Sequence, residues 1–444
     1  MHGDRTSGHH RGAVGEGVLS PAFRRVGTTL HCEGVPLGVI ADGAGTPTYV
    51  YSSATLRTQY ARLDAALSGV PHRIHYAMKA NGSLGVLRTL HAAGAHVDCV
   101  SSGELYRAQQ AGFTPEEIIV GGVGKRADEI EAALDAGVAC ITAESEAELE
   151  LIAALARRRG MVAPVAIRVN PEVTVHAFHD YVKTGQSGDK FGIPLHRAFE
   201  AACYAASLDG LRLVALQQHI GSLLTELGPY GVAADKLVTL LARLRAEAPN
   251  AAAHVTTLDL GGGFGVRYDD EPPVDLDRLT SVARRVHAAT GCTIAIEPGR
   301  FLVAESGVLL ARVLYRKDSG GRTFVIADAG MNDLVRPALY GAHHRIEPVD
   351  SVAGDGRVDL VGPVCESGDF LARDRVLSDV PPGALLVVHT AGAYGFVMSS
   401  NYNARPRAAE VLVDGARWGV IRTRERHEDL VRGERVDPNW SLHA

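Results

Sequence analysis

The chain has 444 residues, of which 46% are hydrophobic and 22% charged, with a formal net charge of −6. That length supports two cores rather than one, and no apolar run is long enough to span a bilayer, so a membrane partner is not expected. The mild acidity offers no basic stripe for a phosphate backbone, which argues against nucleic acid and leaves small molecules as the expected partners.

The opening stretch MHGDRTSGHHRGAVGEG is rich in Gly and His and lacks the apolar centre of a signal peptide. It reads as a disordered tail over residues 1–22, in which His2, His9 and His10 are solvated rather than metal ligands. Six cysteines, Cys32, Cys99, Cys140, Cys203, Cys292 and Cys365, stand far apart with no CxxC pair. Neither a zinc site nor a disulfide framework is expected, and a reducing cytoplasm fits. The segment TTLHCEGVPLGVI (28–40) reads as β and is expected to pair with the last part of the chain.

From about Thr46 the chain repeats apolar strand, turn and amphipathic helix. The strand candidates are RIHYAMK (73–79), HVDCVS (96–101), EIIVGG (117–122), ACITAES (139–145), PVAIRVN (164–170), LVALQQHIG (213–221), TTLDLGGG (256–263) and TIAIEPG (293–299). Helical stretches such as GELYRAQQAG and KRADEIEAALDAG stand between them and stop at glycine. Eight such units over 46–304 predict a closed (β/α)8 barrel. After about Phe301 the runs VLLARVLY, RTFVIAD, ALLVVH and AEVLVDGARWGVI, separated by Gly, Pro and Asp turns, predict a mostly β domain. This β-barrel or β-sandwich is expected to comprise 305–444 together with 23–45.

In a barrel of this kind the chemistry sits where strands end. The first strand ends in HYAMKAN, which aims Lys79 at the barrel mouth. A lysine held there suits a Schiff base with a carbonyl group, the alternative being a side chain that reaches out to solvent. The seventh strand runs into Gly261, Gly262 and Gly263, and the eighth into EPGR with Gly299 and Arg300. The loops after strands seven and eight are the usual phosphate site of such barrels, where glycines let backbone N–H groups come close. Glu297 is the carboxylate that would keep the pyridine nitrogen of pyridoxal 5'-phosphate (PLP) protonated. In HIGS at the end of strand six, His219 offers a ring to stack on that cofactor and Ser222 a hydroxyl for its phosphate. Cys365, in the polar loop VCESGDF, is a candidate proton donor, and Tyr394 in AGAYGF a further phosphate contact.

These residues, with YAMKAN, DCVSSGEL, the stretch at 184–193 ending in KFGI, DAGMNDLVRPALYGA (328–342) and GPVCESGDFLARDR (362–375), resemble the fold-type III, alanine-racemase-like PLP decarboxylases, and within them the diaminopimelate branch. The likeness runs from about Gly34 to Val413. It implies that Lys79 holds PLP covalently, that Asp98 lies near that lysine, and that Glu297, His219, Ser222, the three glycines, Gly299, Arg300 and Tyr394 bind the cofactor. It also implies that Arg300, Arg336, Tyr340, Glu366 and Tyr394 contact an amino-acid substrate. Cys365 and Glu366 would come from the partner subunit of a head-to-tail homodimer. The implied reaction is decarboxylation of meso-2,6-diaminoheptanedioate to L-lysine. Ornithine, arginine or a specialised-metabolism amino acid remain alternative substrates, and a non-catalytic PLP-binding homologue is a third reading. Two departures stand out: Leu223 and Leu224 follow HIGS where the family has Gln, and SSGEL (101–105) replaces Ser-Gly-Gly-Glu-Leu.

Overall fold

A computed structural model describes residues 20–174, 188, 190–269, 271–438 and 440. His2, His9 and His10, the expected tail as far as residue 19, and residues 184–187 and 189 lie outside them.

All eight expected barrel strands form, as His72–Ala77, His96–Cys99, Ile118–Val120, Cys140–Ala143, Ala163–Asn170, Leu211–Gln218, Thr257–Asp259 and Thr293–Ile296. Each runs parallel to the next, and the eighth closes on the first through Ile294 opposite His72, which makes the barrel. The intervening helices are set by local chemistry. The Ser101 side chain accepts from the Glu104 amide to start Ser102–Ala111, and Gly112 in the left-handed region ends it. In Leu276–Thr290, Leu279, Val282, Ala283 and Val286 fall on one face and are buried.

The second unit is built on the long strand Gly307–Ser319, which pairs with Arg322–Ala327 and with Leu385–Val388. Its sheet continues through Gly356–Val361 and Phe370–Leu377 on one side and Ala409–Asp414 and Arg417–Arg422 on the other. Two expectations are corrected here. The segment 28–40 is not β throughout: Thr29–Cys32 and Val35–Pro36 join Phe23–Val26 in a small sheet of their own, and Leu37–Ala44 is a helix. Its Leu37, Ile40 and Ala41 are buried at helical spacing, a periodicity that the β-branched residues and glycines of LGVIADGA disguise. That small sheet meets the later part by an isolated bridge, Thr29 opposite Asp350, and the bond from Leu30 N to Val349 O. The strand that does enter the large sheet is Thr48–Ser52, between Gly307–Ser319 and Ala409–Asp414. It precedes the helix Ser53–Leu67 and so mimics a barrel unit, while its pairing partners lie more than 250 residues away.

The two units meet beside the end of the first barrel strand. The Tyr394 amide donates to Ala80 O at 2.8 Å, and Asn81 Nδ2 donates to Gly392 O at 3.0 Å. A Cβ on Gly392 would lie 1.9 Å from Val303 O, an obstacle that cannot rotate away. Gly392→Ala is therefore expected to cost about 3 kcal/mol, the upper range for overpacking, read as a lowered urea midpoint. Gly38→Ala, in a helix with nothing within 4 Å, should leave the midpoint unchanged or raise it. Equal midpoints for the two variants would contradict this packing.

Candidate active site

The first strand stops at Ala77, two residues earlier than expected, because the Ala77 amide bonds Pro298 O and the chain turns into Met78–Ala80. Lys79 thus sits in a short 3-10 turn rather than in the strand, with its side chain open to a cavity at the barrel mouth. This cavity holds about 250 Å³ and is walled by Lys79, His219, Ser222, Gly263, Glu297, Gly299, Arg300, Arg336, Tyr340 and Tyr394, among others. Asp98 lines an adjoining space of about 390 Å³ that shares Lys79, Arg168, His219 and Glu297. Enclosure disfavours the ammonium of Lys79, but Asp98, then Tyr394 and Glu297, outweigh it and raise its pKa.

Beyond the neighbouring eighth strand, Gln217 Nε2 donates to Glu297 Oε2 at 2.9 Å. Burial, reinforced by Asp259 and Asp98, pushes the Glu297 carboxyl well above its ordinary range. The Gly262 amide donates to His219 Nδ1 at 3.2 Å, so that nitrogen carries a lone pair. Burial, Lys79 and Arg168 hold the ring well below the usual histidine range, hence neutral.

The glycine run works differently from expectation. Added Cβ atoms on Gly261, Gly262 and Gly263 would fall 2.2, 1.9 and 2.0 Å from Gln218 O, Glu297 O and Gly221 O. The glycines therefore let three loops pack against each other. Only Gly263 of the three lines the cavity, while the Gly261 and Gly262 amides bond Asp259 and His219. Arg300, also buried, donates through Nη1 to Tyr268 Oη at 2.7 Å and leaves Nε without a partner among the described residues.

Tyr394 reaches the cavity from the β unit with a φ of 56°, its guanidinium neighbour Arg300 lying 4.7 Å from the ring centre. Leu223, at the departure noted after HIGS, also lines the cavity with a φ of 63°. Cys365 and Glu366 do not line this cavity. They are exposed in a loop pinned at its base by Asp369, which accepts from the amides of Met331 and Val364, both at 2.6 Å.

Several residues here escaped the reading of sequence. Arg168, at the end of strand five, faces both cavities and pairs with Glu144 at 2.8 Å. The strand-end rule that found Lys79 would have found it too. Asp259, the last residue of strand seven, answers to the same rule, whereas Gln217, Tyr268 and His344 carry no such signal, since they act through other side chains.

Residues 53–304 match the family model described as the pyridoxal binding domain of pyridoxal-dependent decarboxylases. The chain is 47% identical to a diaminopimelate decarboxylase of Pseudomonas aeruginosa, over 92% of this chain and 97% of that one. Among solved structures, a diaminopimelate decarboxylase from Helicobacter pylori complexed with L-lysine superposes with a TM-score of 0.85 at 37% identity, covering 89% and 98% of the two chains. One from M. jannaschii, also with L-lysine, gives 0.89 at 31% identity, covering 95% and 99%. The chain belongs to the pyridoxal-dependent decarboxylase family. Its fold is the family's (β/α)8 barrel with a separate β domain, and its cofactor is PLP.

The residues present fit that cofactor. A carboxyl buried beside two other acids, Glu297, suits a cationic ring nitrogen, and Lys79 stands in the same cavity to hold the aldehyde carbon. Ser222, Gly263, Gly299 and the Nε of Arg300, which has no partner among the described residues, are donors that a phosphate could use.

Behind Glu297, Asp259 is fully buried and its pKa is pushed up to about 7 by burial, against the Gly261 amide and with Asp98 adding to the rise. The folded chain keeps a proton here that the unfolded chain has released. The stability linked to it is complete below the ordinary carboxylate pKa and is lost as pH rises through about 7. Cofactor-free protein should show this as a falling melting temperature, and Asp259→Asn, which does not titrate, should flatten the fall. Parallel profiles for the two proteins would refute the assignment.

Proposed function

We propose that this chain decarboxylates meso-2,6-diaminoheptanedioate to L-lysine and CO2, closing lysine biosynthesis, in the cytoplasm and as a homodimer. One observation carries the reading: two buried arginines, Arg300 and Arg336, face the same cavity as Lys79 and Glu297. The product of ornithine or arginine decarboxylation is wholly cationic and has no anionic group to meet the second arginine, whereas lysine keeps a carboxylate at its far end.

When bound, PLP supplies an electron-withdrawing ring for the electron pair left as CO2 departs. The protein does the rest. Lys79 anchors the cofactor and Asp98 sets the charge of that amine. Glu297 would hold a proton at the ring nitrogen, the neutral His219 would pack on the ring, and Ser222, Gly263, Gly299, Arg300 and Tyr394 would bind the phosphate. Arg336 and Tyr340 receive the distal carboxylate of the substrate. Cys365 Sγ delivers a proton to the carbon that lost CO2, and Glu366 holds the distal amine, both from the partner subunit. Their exposure and their absence from this chain's cavity support a shared site.

We divide the chain into a barrel unit over 46–304 and a mostly β unit of 23–45 and 305–444, with Thr48–Ser52 as the barrel unit's contribution to the β sheet. A related amino acid is the second reading, favoured by Leu223, which puts an apolar side chain in the cavity wall.

Lys79→Ala should abolish CO2 release together with the visible absorption band of bound PLP. If the band persists, another residue holds the cofactor. Cys365→Ala should keep the band but slow turnover by about 10²-fold, the usual worth of a general acid. Mixing the two variants should raise turnover well above that of Cys365→Ala alone, since one site of each mixed dimer is intact, and no rise would contradict the shared site. Among meso-diaminoheptanedioate, ornithine, arginine and lysine, only the first should release CO2 at an appreciable rate.

A further inference from the structure

Arg336 is held by a residue that does not itself reach the cavity. His344 is fully buried, and its Nε2 lies 2.9 Å from Arg336 Nη1, while its Nδ1 lies 2.8 Å from His389 O. A guanidinium nitrogen can only donate and a carbonyl can only accept. The ring is therefore neutral, with its hydrogen on Nδ1 and a lone pair on Nε2. The carbonyl that fixes this tautomer is itself braced. His389 Nε2 donates to Glu347 Oε1 at 3.0 Å, and Glu347 pairs with Arg25 of the amino-terminal sheet at 2.7 Å.

The second support is Tyr268. The guanidinium carbon of Arg336 lies 4.6 Å from its ring centre, and its hydroxyl accepts from Arg300 at 2.7 Å. The ring of His344 meets Tyr268 edge-on, with centres 5.3 Å apart. Two arginines are thus brought to one cavity against their mutual repulsion, on a scaffold that holds no carboxylate against Arg336 among its described contacts.

An acid at position 344 would orient Arg336 equally well but would form an ion pair with it, and an incoming carboxylate would have to compete for the charge. A neutral acceptor directs one N–H and leaves the positive charge to the substrate. We propose that His344 is the positioning residue for the distal carboxylate, its bare Nε2 orienting Arg336 while leaving the guanidinium charge uncompensated. The inference rests on the reading of Arg336 given above.

The test compares two diamines that differ only in the distal carboxylate, L-lysine and cadaverine, titrated calorimetrically into PLP-loaded protein. His344→Gln keeps a neutral acceptor and should bind lysine within about threefold of the parent. His344→Glu, of the same size but anionic, and His344→Phe, which removes the acceptor, should each weaken lysine by about 10-fold or more, the range of one charge-assisted hydrogen bond. Cadaverine affinity and the PLP absorption band should be unchanged in all three, which a general loss of structure would not allow. If Glu or Phe at 344 binds lysine as tightly as the parent, or Gln fails with them, the role assigned to His344 is wrong. Arg336→Met separates the two layers: it should lose lysine selectively, and if it does not, the reading of Arg336 itself fails.

Discussion

Two hydrogen bonds beside Lys79, from the Tyr394 amide to Ala80 O and from Asn81 Nδ2 to Gly392 O, tie the end of the first barrel strand to the β unit. Everything else at the site depends on that seam. The barrel alone brings Lys79, Asp98, His219, Glu297 and Arg300 to its mouth, but Arg336, Tyr340 and Tyr394 come from the β unit. The seam has no room to slide, because Gly392 lies against Val303 O at a distance that no side chain could enter. A rigid join converts two folding units into one cavity wall.

Within that cavity, charge is sorted by position. Asp98, Asp259 and Glu297 gather on the barrel side, where burial, with their mutual repulsion added to it, raises the pKa values of Asp259 and Glu297. Arg300 and Arg336 gather on the side facing the β unit, packed around Tyr268. Each side also has a histidine kept neutral by burial, His219 beside Lys79 and His344 behind Arg336. Each accepts one N–H from a neighbour. Neutral acceptors orient groups without cancelling the charges that a cofactor and an amino acid are to meet. The same logic separates the glycines of 261–263 from a simple phosphate loop: their small size closes three strand-end loops together, and only Gly263 reaches the cavity.

Much of this was legible in the sequence, for local reasons. The eight strands repeat at short range with glycine stops, and hydrophobic periodicity needs no distant partner to be read. Lys79, Glu297 and Arg300 were visible because a charged side chain at the end of an apolar strand is costly unless used. Arg168 answers to the same rule and was passed over. That Thr48–Ser52 joins the β sheet is hidden in the sequence because all five of its residues are buried, so it shows no alternation, and a helix follows it as in a barrel unit.

The sequence by itself determined the barrel, its order of strands and the chemical types at the strand ends, since these follow from spacing along a continuous chain. Only the tertiary structure decided which sheet Thr48–Ser52 joins, which glycine faces the cavity, and that His344 stands behind Arg336. Those outcomes depend on contacts between segments far apart in the chain, where a pairing partner or a hydrogen-bond acceptor leaves no periodic trace. Lys79 belongs to both: its place at a strand end is local, while its charge is set by Asp98, Tyr394 and Glu297, which three other segments bring to it.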